Sequence, residues 1–189
     1  MGEGNALICG VDEAGRGPLA GPVFAAAVIL PFGLEIAGLD DSKKLSEKKR
    51  EELYGKIISV AVAYGVASAD HLEVDEVNIL NATFLAMNRA IGMLSARPDI
   101  ALIDGNRNNG VTARSKCVVG GDGKSASIAA ASILAKVSRD RVMLEMAKLY
   151  PQYGFERHKG YGTRLHFEKL REHGPCEIHR KTFLRSVNS

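Results

Sequence analysis

Apolar and polar positions fall along this chain in blocks that predict an ordered series of strands and helices. Residues 7–12 form a short apolar run that ends on two adjacent acids, and residues 23–30 form a second run rich in Val and Ala. Glycines and prolines separate the two, so the start of the chain predicts a hairpin-led sheet, with a third strand expected over residues 60–67. Between the second and third strands, SEKKREELYGKI reads as a helix over residues 46–57, with Ser46 as its cap and Glu47 in the first turn, where an acid suits the helix dipole. A longer helix is expected over residues 73–94, where Val74, Val77, Leu80, Phe84, Met87 and Ile91 recur on one face, and Pro98 closes the connection after it.

Two short strands follow. Residues 100–103 stop at Asp104 and Gly105, and residues 116–119 stop at Gly120, Gly121 and Asp122. The second opens a helix over residues 125–150, in which Ile128, Ala131, Ala135, Val142, Met146 and Leu149 share a face and the many alanines permit close packing on a sheet. Pro151 ends it. Beyond lie HKGYGT, a short helix over residues 163–173 and a final basic segment, with no internal repeat or low-complexity linker. The expected fold class is α/β, a single domain over residues 1–189 whose residues 151–189 make a helical, basic C-terminal part.

Composition agrees with a folded domain, at 46% apolar and 25% charged residues. No apolar run approaches the roughly 20 residues of a membrane span, and the first residues lack the basic start and apolar stretch of a secretion signal, so a cytoplasmic location and no membrane partner are expected. Cys9, Cys117 and Cys176 lie far apart without zinc-ligand spacing, which predicts reduced thiols. Charge changes the picture more. Residues 151–189 carry eight Lys or Arg against four Glu, while the rest of the chain is close to neutral. That stretch, with Arg157, His158, Lys159, Arg164, His166, Lys169, Arg171, Arg180 and Lys181 around Tyr161, is either a solvated face or a surface for a polyanion with a stacking ring.

The acids carry the candidate chemistry. Three strand ends deliver one: Asp12 with Glu13, Asp104, and Asp122. Singly, an Asp beside a Gly is a turn residue. Repeated at strand ends, acids can converge at one edge of a sheet with parallel neighbours, where ligands usually bind. Converging carboxylates repel unless cations neutralise them, and an all-oxygen donor set favours hard ions, so Mg²⁺ or Mn²⁺ is expected. Two such ions about 4 Å apart would activate water and stabilise the leaving oxygen in displacement at phosphorus, which points to phosphodiester hydrolysis. Neighbours in a strand face opposite ways, so Asp12 and Glu13 are not expected to reach one ion together by their side chains; Glu13 contributes either at the second site or through its backbone carbonyl. Next comes Gly15-Arg16-Gly17, where absent Cβ atoms allow a sugar or phosphate close to the backbone and Arg16 supplies charge.

Two rival motifs fit less well. GRGPLAG misses the G-x-G-x-x-G spacing and precedes a strand rather than a helix. GGDGKS at residues 120–125 lies between a strand and a helix as a P-loop does, but Val118 stands where glycine is required and Asp122 puts a negative charge in the phosphate cradle.

Taken together, GVDEAGRGPLAGPV, LDDSKKLSEKKR, EVNILNAT, LIDGN, the GD of VVGGDGKS, AAASILAKVSRDR, YPQYGFERHKGYGT and the later HR resemble the bacterial type 2 ribonucleases H, the ribonuclease HII family, in family order over nearly the whole chain. The resemblance implies a ribonuclease H-like mixed sheet flanked by helices. It implies that Asp12, Glu13, Asp104 and Asp122 are the catalytic acids and the ligands of two Mg²⁺ or Mn²⁺ ions. Gly15, Arg16 and Gly17 would recognise the ribonucleotide 2′-hydroxyl and adjoining phosphate through the backbone, and Tyr161 would stack on the sugar of the following deoxynucleotide. Lys43, Lys44 and Asn78 match positions that contact nucleic acid.

The implied substrates are RNA/DNA hybrids and duplex DNA holding a ribonucleotide, cut on the 5′ side to leave 5′-phosphate and 3′-hydroxyl ends. Many relatives carry a lysine where this chain has Gly120, so that cation is either absent or supplied by Lys124. Arg16 between the glycines, and only eleven residues before Asp12, favour type 2 over type 3. The tail TFLRSVNS lacks the glutamine and paired aromatics of a sliding-clamp ligand, and a monomer is expected. Two other classes fit parts of the sequence: a nucleic-acid-binding module without activity, and a nucleotide-dependent phosphotransferase using GGDGKS.

Overall fold

The structure, a computed structural model, describes residues 6–39 and 45–185. Lys43, Lys44 and the last four residues of the tail lie outside the described residues. Five strands form one mixed sheet in the order β3-β2-β1-β4-β5. β1 (Ile8–Ala14), β2 (Val23–Ile29) and β3 (Ala63–Ala69) make an antiparallel meander, and β4 (Ile100–Asp104) and β5 (Ser115–Val118) add in parallel beyond β1.

Alternation along β1 divides the molecule into layers. Cys9 and Val11 point into a core with Val74, Phe84 and Met87 of α2 (His71–Gly92). Gly10 and Asp12 face the other side, where α3 (Ala126–Leu149) packs, with α1 (Glu47–Val60) behind it. On that side Ala26 and Val28 of β2 meet Leu53, Ile57, Ala130, Ile133 and Leu134. A third core of Ala20, Met143, Tyr153, Phe155 and Ile178 ties in the C-terminal part, which holds α4 (Phe155–His158), α5 (Arg164–His173) and α6 (Lys181–Arg185).

Several expectations shift, each for a local reason. β1 continues through both acids to Ala14, because Asp12 and Glu13 pair with Ala26 and Ala25 of β2. α1 runs on to Val60, so β3 starts at Ala63 rather than at residue 60. α2 begins earlier, at His71, where Asp70 accepts from the Glu73 amide and the Glu73 side chain accepts from the Asp70 amide in a capping box. It is also broken at Asn78, whose φ of 66° and ψ of 164° are not helical, and whose Oδ1 caps the second half by accepting from the Leu80 and Asn81 amides. In α3, Met143 is buried and Leu149 is exposed, while Ile128 to Ala135 is buried all round between the sheet and α1.

The basic C-terminal surface needs a larger correction. Arg180, His158 and His166 are buried, Arg164 pairs with Glu168 and Lys169 with Glu172, whereas Arg157, Arg171 and Lys181 are exposed, so the open charge of this part is smaller than its composition suggests. The three cysteines are free thiols, and burial pushes Cys9 up to about 12. Among the described residues no helix is long and apolar enough to cross a membrane.

Candidate active site

The parallel register of β1 with β4 builds the site. Val11 pairs with Ile103, so the next residue of each strand, Asp12 and Asp104, arrives side by side at the carboxyl ends. Asp12 is 6% exposed; its Oδ1 accepts the Glu13 amide at 2.7 Å and its carboxyl is bonded by Ser132 of α3. Burial first, then the charges of Glu13 and Asp104, push the Asp12 carboxyl up to about 8. A divalent cation between the carboxylates would offset both causes. Asp104 is fixed by the Gly121 amide, which donates to its Oδ1 at 2.7 Å across the β4–β5 edge.

Glu13 points to the opposite face, as strand alternation requires. It meets Arg16 at 3.2 Å and lines an open cavity of about 360 Å³ with Arg16, Asp104, Asn106, Arg107 and the α2 residues Thr83, Phe84 and Met87. Asp122 is set apart. It sits on the 3₁₀ turn Gly121–Gly123, accepts the amide of Gly123 at 3.0 Å, and lines a different hollow with Leu34, Ile36 and Lys124. The structure therefore sets Asp12 and Asp104 side by side, places Glu13 on the opposite face beside Asp104 and Arg16, and has Asp122 lining a different hollow. Among the described residues no group of three or more His, Cys, Asp or Glu side chains is arranged to hold an ion. The donor chemistry is nonetheless that of a hard cation, since only carboxylates converge here.

The turn 120–125 uses its own amides. Gly121 donates to Asp104, Gly123 to Asp122, and Lys124 and Ser125 to the Gly121 carbonyl, while Lys124 Nζ donates to the Val119 carbonyl at 2.6 Å. Amides spent this way do not cradle a nucleotide phosphate, which removes the physical basis of the phosphotransferase reading.

Gly15-Arg16-Gly17 follows the acids and faces Tyr161. A methyl at Gly17 would touch Tyr161 Cε1 at 3.8 Å, with nothing nearer, so the bare turn lies beside the ring. Tyr161 is 41% exposed, and the cations of Lys136 and Arg139 stand 5.9 and 5.6 Å from its ring centroid. Asn78 is exposed at the break in α2. Its backbone sits in a region essentially reserved for glycine, which costs on the order of 1–3 kcal/mol and is the kind of strain kept at binding sites.

Beneath Tyr161 lies a histidine chain that the sequence did not announce. His166 Nδ1 donates to the Tyr161 carbonyl at 3.0 Å, so its Nε2 accepts from His179 Nε2 at 3.0 Å, and His179 Nδ1 in turn accepts the Cys176 amide at 2.9 Å. His158 stacks on His166, donating to the Tyr153 carbonyl and accepting the Gly160 amide. Every ring is satisfied as the neutral tautomer. Burial, as the first cause, pushes His166 and His179 down to about 4. Unfolded histidines bind protons from about pH 6.5 downward, so the stability of this cluster is complete above that value and is lost as pH falls toward about 4. The expected outcome is that the unfolding free-energy gap between the wild type and His179→Gln, measured by urea denaturation, narrows from pH 7 to pH 4.5 by on the order of 1–3 kcal/mol. A gap that stays constant across that range contradicts the neutral network.

Sequence reasoning missed Ser132, Arg139 and the buried role of Arg180. The signal for the first two was there: Ser132, Lys136 and Arg139 form a polar stripe at helical spacing inside an alanine-rich helix.

With this geometry in view, a profile described as ribonuclease HII matches residues 9–186. A ribonuclease HII from Caldicellulosiruptor bescii is 56% identical over 189 residues, covering all of this chain and 92% of that protein. One from Burkholderia mallei strain SAVP1 is 59% identical over 177 residues, covering 94% and 83%. The crystal structure of ribonuclease H2 from Pyrococcus horikoshii OT3 superposes with a TM-score of 0.78 at 27% identity, covering 96% of this chain and 95% of that one.

Proposed function

The chain belongs to the ribonuclease HII family, and from that premise we propose that it nicks the phosphodiester on the 5′ side of a ribonucleotide in duplex nucleic acid, with Asp12, Glu13, Asp104 and Asp122 as its catalytic acids. The protein is an endoribonuclease of RNA/DNA hybrids. The finer assignment rests above all on the β1–β4 register, which sets Asp12 beside Asp104 at the sheet edge.

Mg²⁺ or Mn²⁺, held by Asp12 and Asp104 with Glu13 and Asp122, would supply the activation of water and the neutralisation of the leaving oxygen. The chain's own residues do the rest. Ser132 and the Glu13 amide hold the Asp12 carboxyl in one rotamer, and the Gly121 amide does the same for Asp104. Asp122 gives up its contact with the Gly123 amide to join them, while Glu13, on the opposite face, serves the second ion or offers its backbone carbonyl, and Arg16 beside it supplies charge for a phosphate. The backbone of Gly15, Arg16 and Gly17 meets the 2′-hydroxyl, the group that separates RNA from DNA. Tyr161 offers its face to the next sugar, Asn78 its amide to the backbone, and Lys43 and Lys44 add charge along the duplex.

With Mg²⁺ or Mn²⁺, an end-labelled DNA duplex holding one ribonucleotide is expected to give a single nick on its 5′ side, with a 3′-hydroxyl on the upstream fragment. The all-DNA duplex stays whole, and EDTA stops the reaction. A nick on the 3′ side, or cutting of the all-DNA duplex, contradicts the proposal.

A further inference from the structure

Two arginines are buried under the glycine turn with no carboxylate within ion-pair reach among the described residues. Arg139 and Arg180 are both 0% exposed. Carbonyl groups take the place of carboxylates. Arg180 donates from Nη2 to the Gly15 carbonyl at 2.7 Å, from Nη1 to those of Arg16 and Pro18 at 3.0 and 2.9 Å, and from Nε to that of Gly21 at 2.9 Å. Arg139 takes the next two, donating to the carbonyls of Ala20 and Pro22 at 3.2 and 3.0 Å. The Arg180 backbone amide donates to the Leu19 carbonyl at 2.8 Å. Of the eight carbonyls from Gly15 to Pro22, only that of Gly17 escapes this set.

Peptide planarity gives this arrangement a consequence. In a trans peptide the N–H points opposite to the C=O of the same unit. With the Gly15 and Arg16 carbonyls drawn inward onto Arg180, the amides of Arg16 and Gly17 are turned outward. Among the described residues neither donates to any group, and both lie on the exposed side of the turn, which at Gly17 faces Tyr161. Two successive outward amides over a buried positive charge attract an oxygen with lone pairs, a sugar hydroxyl or a phosphate. We propose that Arg180 is the positioning residue of ribonucleotide recognition: its guanidinium fixes the peptide units of the glycine turn so that the Arg16 and Gly17 amides meet the 2′-hydroxyl and its phosphate. The inference rests on the function proposed above.

Arg180 is itself held from three sides. The pairing of Ala20 with His179, the Gly21 amide on the Ile178 carbonyl, and Asp75 of α2 on the amides of Lys181 and Thr182 leave its segment little freedom. Its burial beside Arg139 pushes it down to about 9, so it remains charged at neutral pH.

The test is Arg180→Lys, which keeps a cation but cannot reach four carbonyls in a plane. Affinity for a duplex with one ribonucleotide and for its all-DNA counterpart is measured in EDTA, where cleavage does not interfere. The wild type is expected to prefer the ribonucleotide, and the variant to lose that preference by about tenfold or more while its all-DNA affinity changes less than about twofold. Its Mn²⁺ affinity by calorimetry stays at the wild-type value, which a general loss of structure would not allow. A folded variant that keeps the preference overturns the proposal.

If the wild type shows no preference, it is the functional reading that fails, and the amide signals of Arg16 and Gly17 in ¹⁵N-labelled protein decide the role of Arg180. Large shifts on substitution support the proposal, and unmoved signals overturn it. If the variant does not fold, the wild-type Arg180 Nη signals decide: three slowly exchanging protons on two resolved nitrogens support the clamp, and a single averaged signal overturns it.

Discussion

Asp104→Asn is expected to lower cleavage of a ribonucleotide-containing duplex by at least about 10³-fold, some 4 kcal/mol of barrier, with the fold and duplex binding retained. The substitution is nearly isosteric. The hydrogen bond from the Gly121 amide can still be accepted by the new side-chain oxygen, so the β4–β5 edge keeps its geometry. What is lost is one of the negative charges that converge with Asp12 and Glu13, and an amide is a far poorer ligand for a hard cation. Removing that charge also relieves one of the causes that raise the Asp12 carboxyl, so the variant is expected to be no less stable than the wild type.

The second large effect falls on the fold. Gly10 lies on β1 two residues before Asp12, and a Cβ there would run into the Ser127 and Ile128 backbone at the start of α3, approaching the Ser127 carbonyl oxygen to 2.5 Å. Backbone on both sides leaves no flexible side chain to give way. Gly10→Ala is therefore expected to cost about 3 kcal/mol or more of unfolding free energy in urea, as the helix lifts from the strand. The same lift carries Ser132 away from Asp12, so residual folded protein should cleave more slowly. A loss under about 0.5 kcal/mol would mean that α3 does not press on β1 as described.

The approach of α3 to β1 was only partly legible in the sequence. Asp104 and Asp12 could be placed because each closes an apolar run, and strands that end on acids can line one sheet edge if they are parallel. Their actual pairing, Val11 with Ile103, needed the third dimension. β1 outran its apolar run because β2 supplies ladder partners to the acids themselves, which local composition does not reveal. The break at Asn78 was hidden for a related reason: the apolar face of α2 continues across it.

Arg180, His158 and His166 were misplaced on the surface by residue type alone. Their partners are backbone carbonyls and other histidines, and for Arg180 those carbonyls lie about 160 positions away in the chain, so no local pattern could disclose them. Asp122 is the opposite case. Its position after β5 followed from the sequence, whereas the direction of its carboxylate is set by a 3₁₀ turn of three residues that spacing does not resolve.

The central claim is that the acids at the ends of β1 and β4 form a cation-dependent site for cutting beside a ribonucleotide. Single-turnover cleavage of an end-labelled duplex with one ribonucleotide, run with Mn²⁺ for the wild type and Asp104→Asn and paired with duplex binding on the same samples, tests it most directly. The account predicts a 5′-side nick for the wild type and almost none for the variant at equal binding. A variant that nicks at the wild-type rate would contradict it.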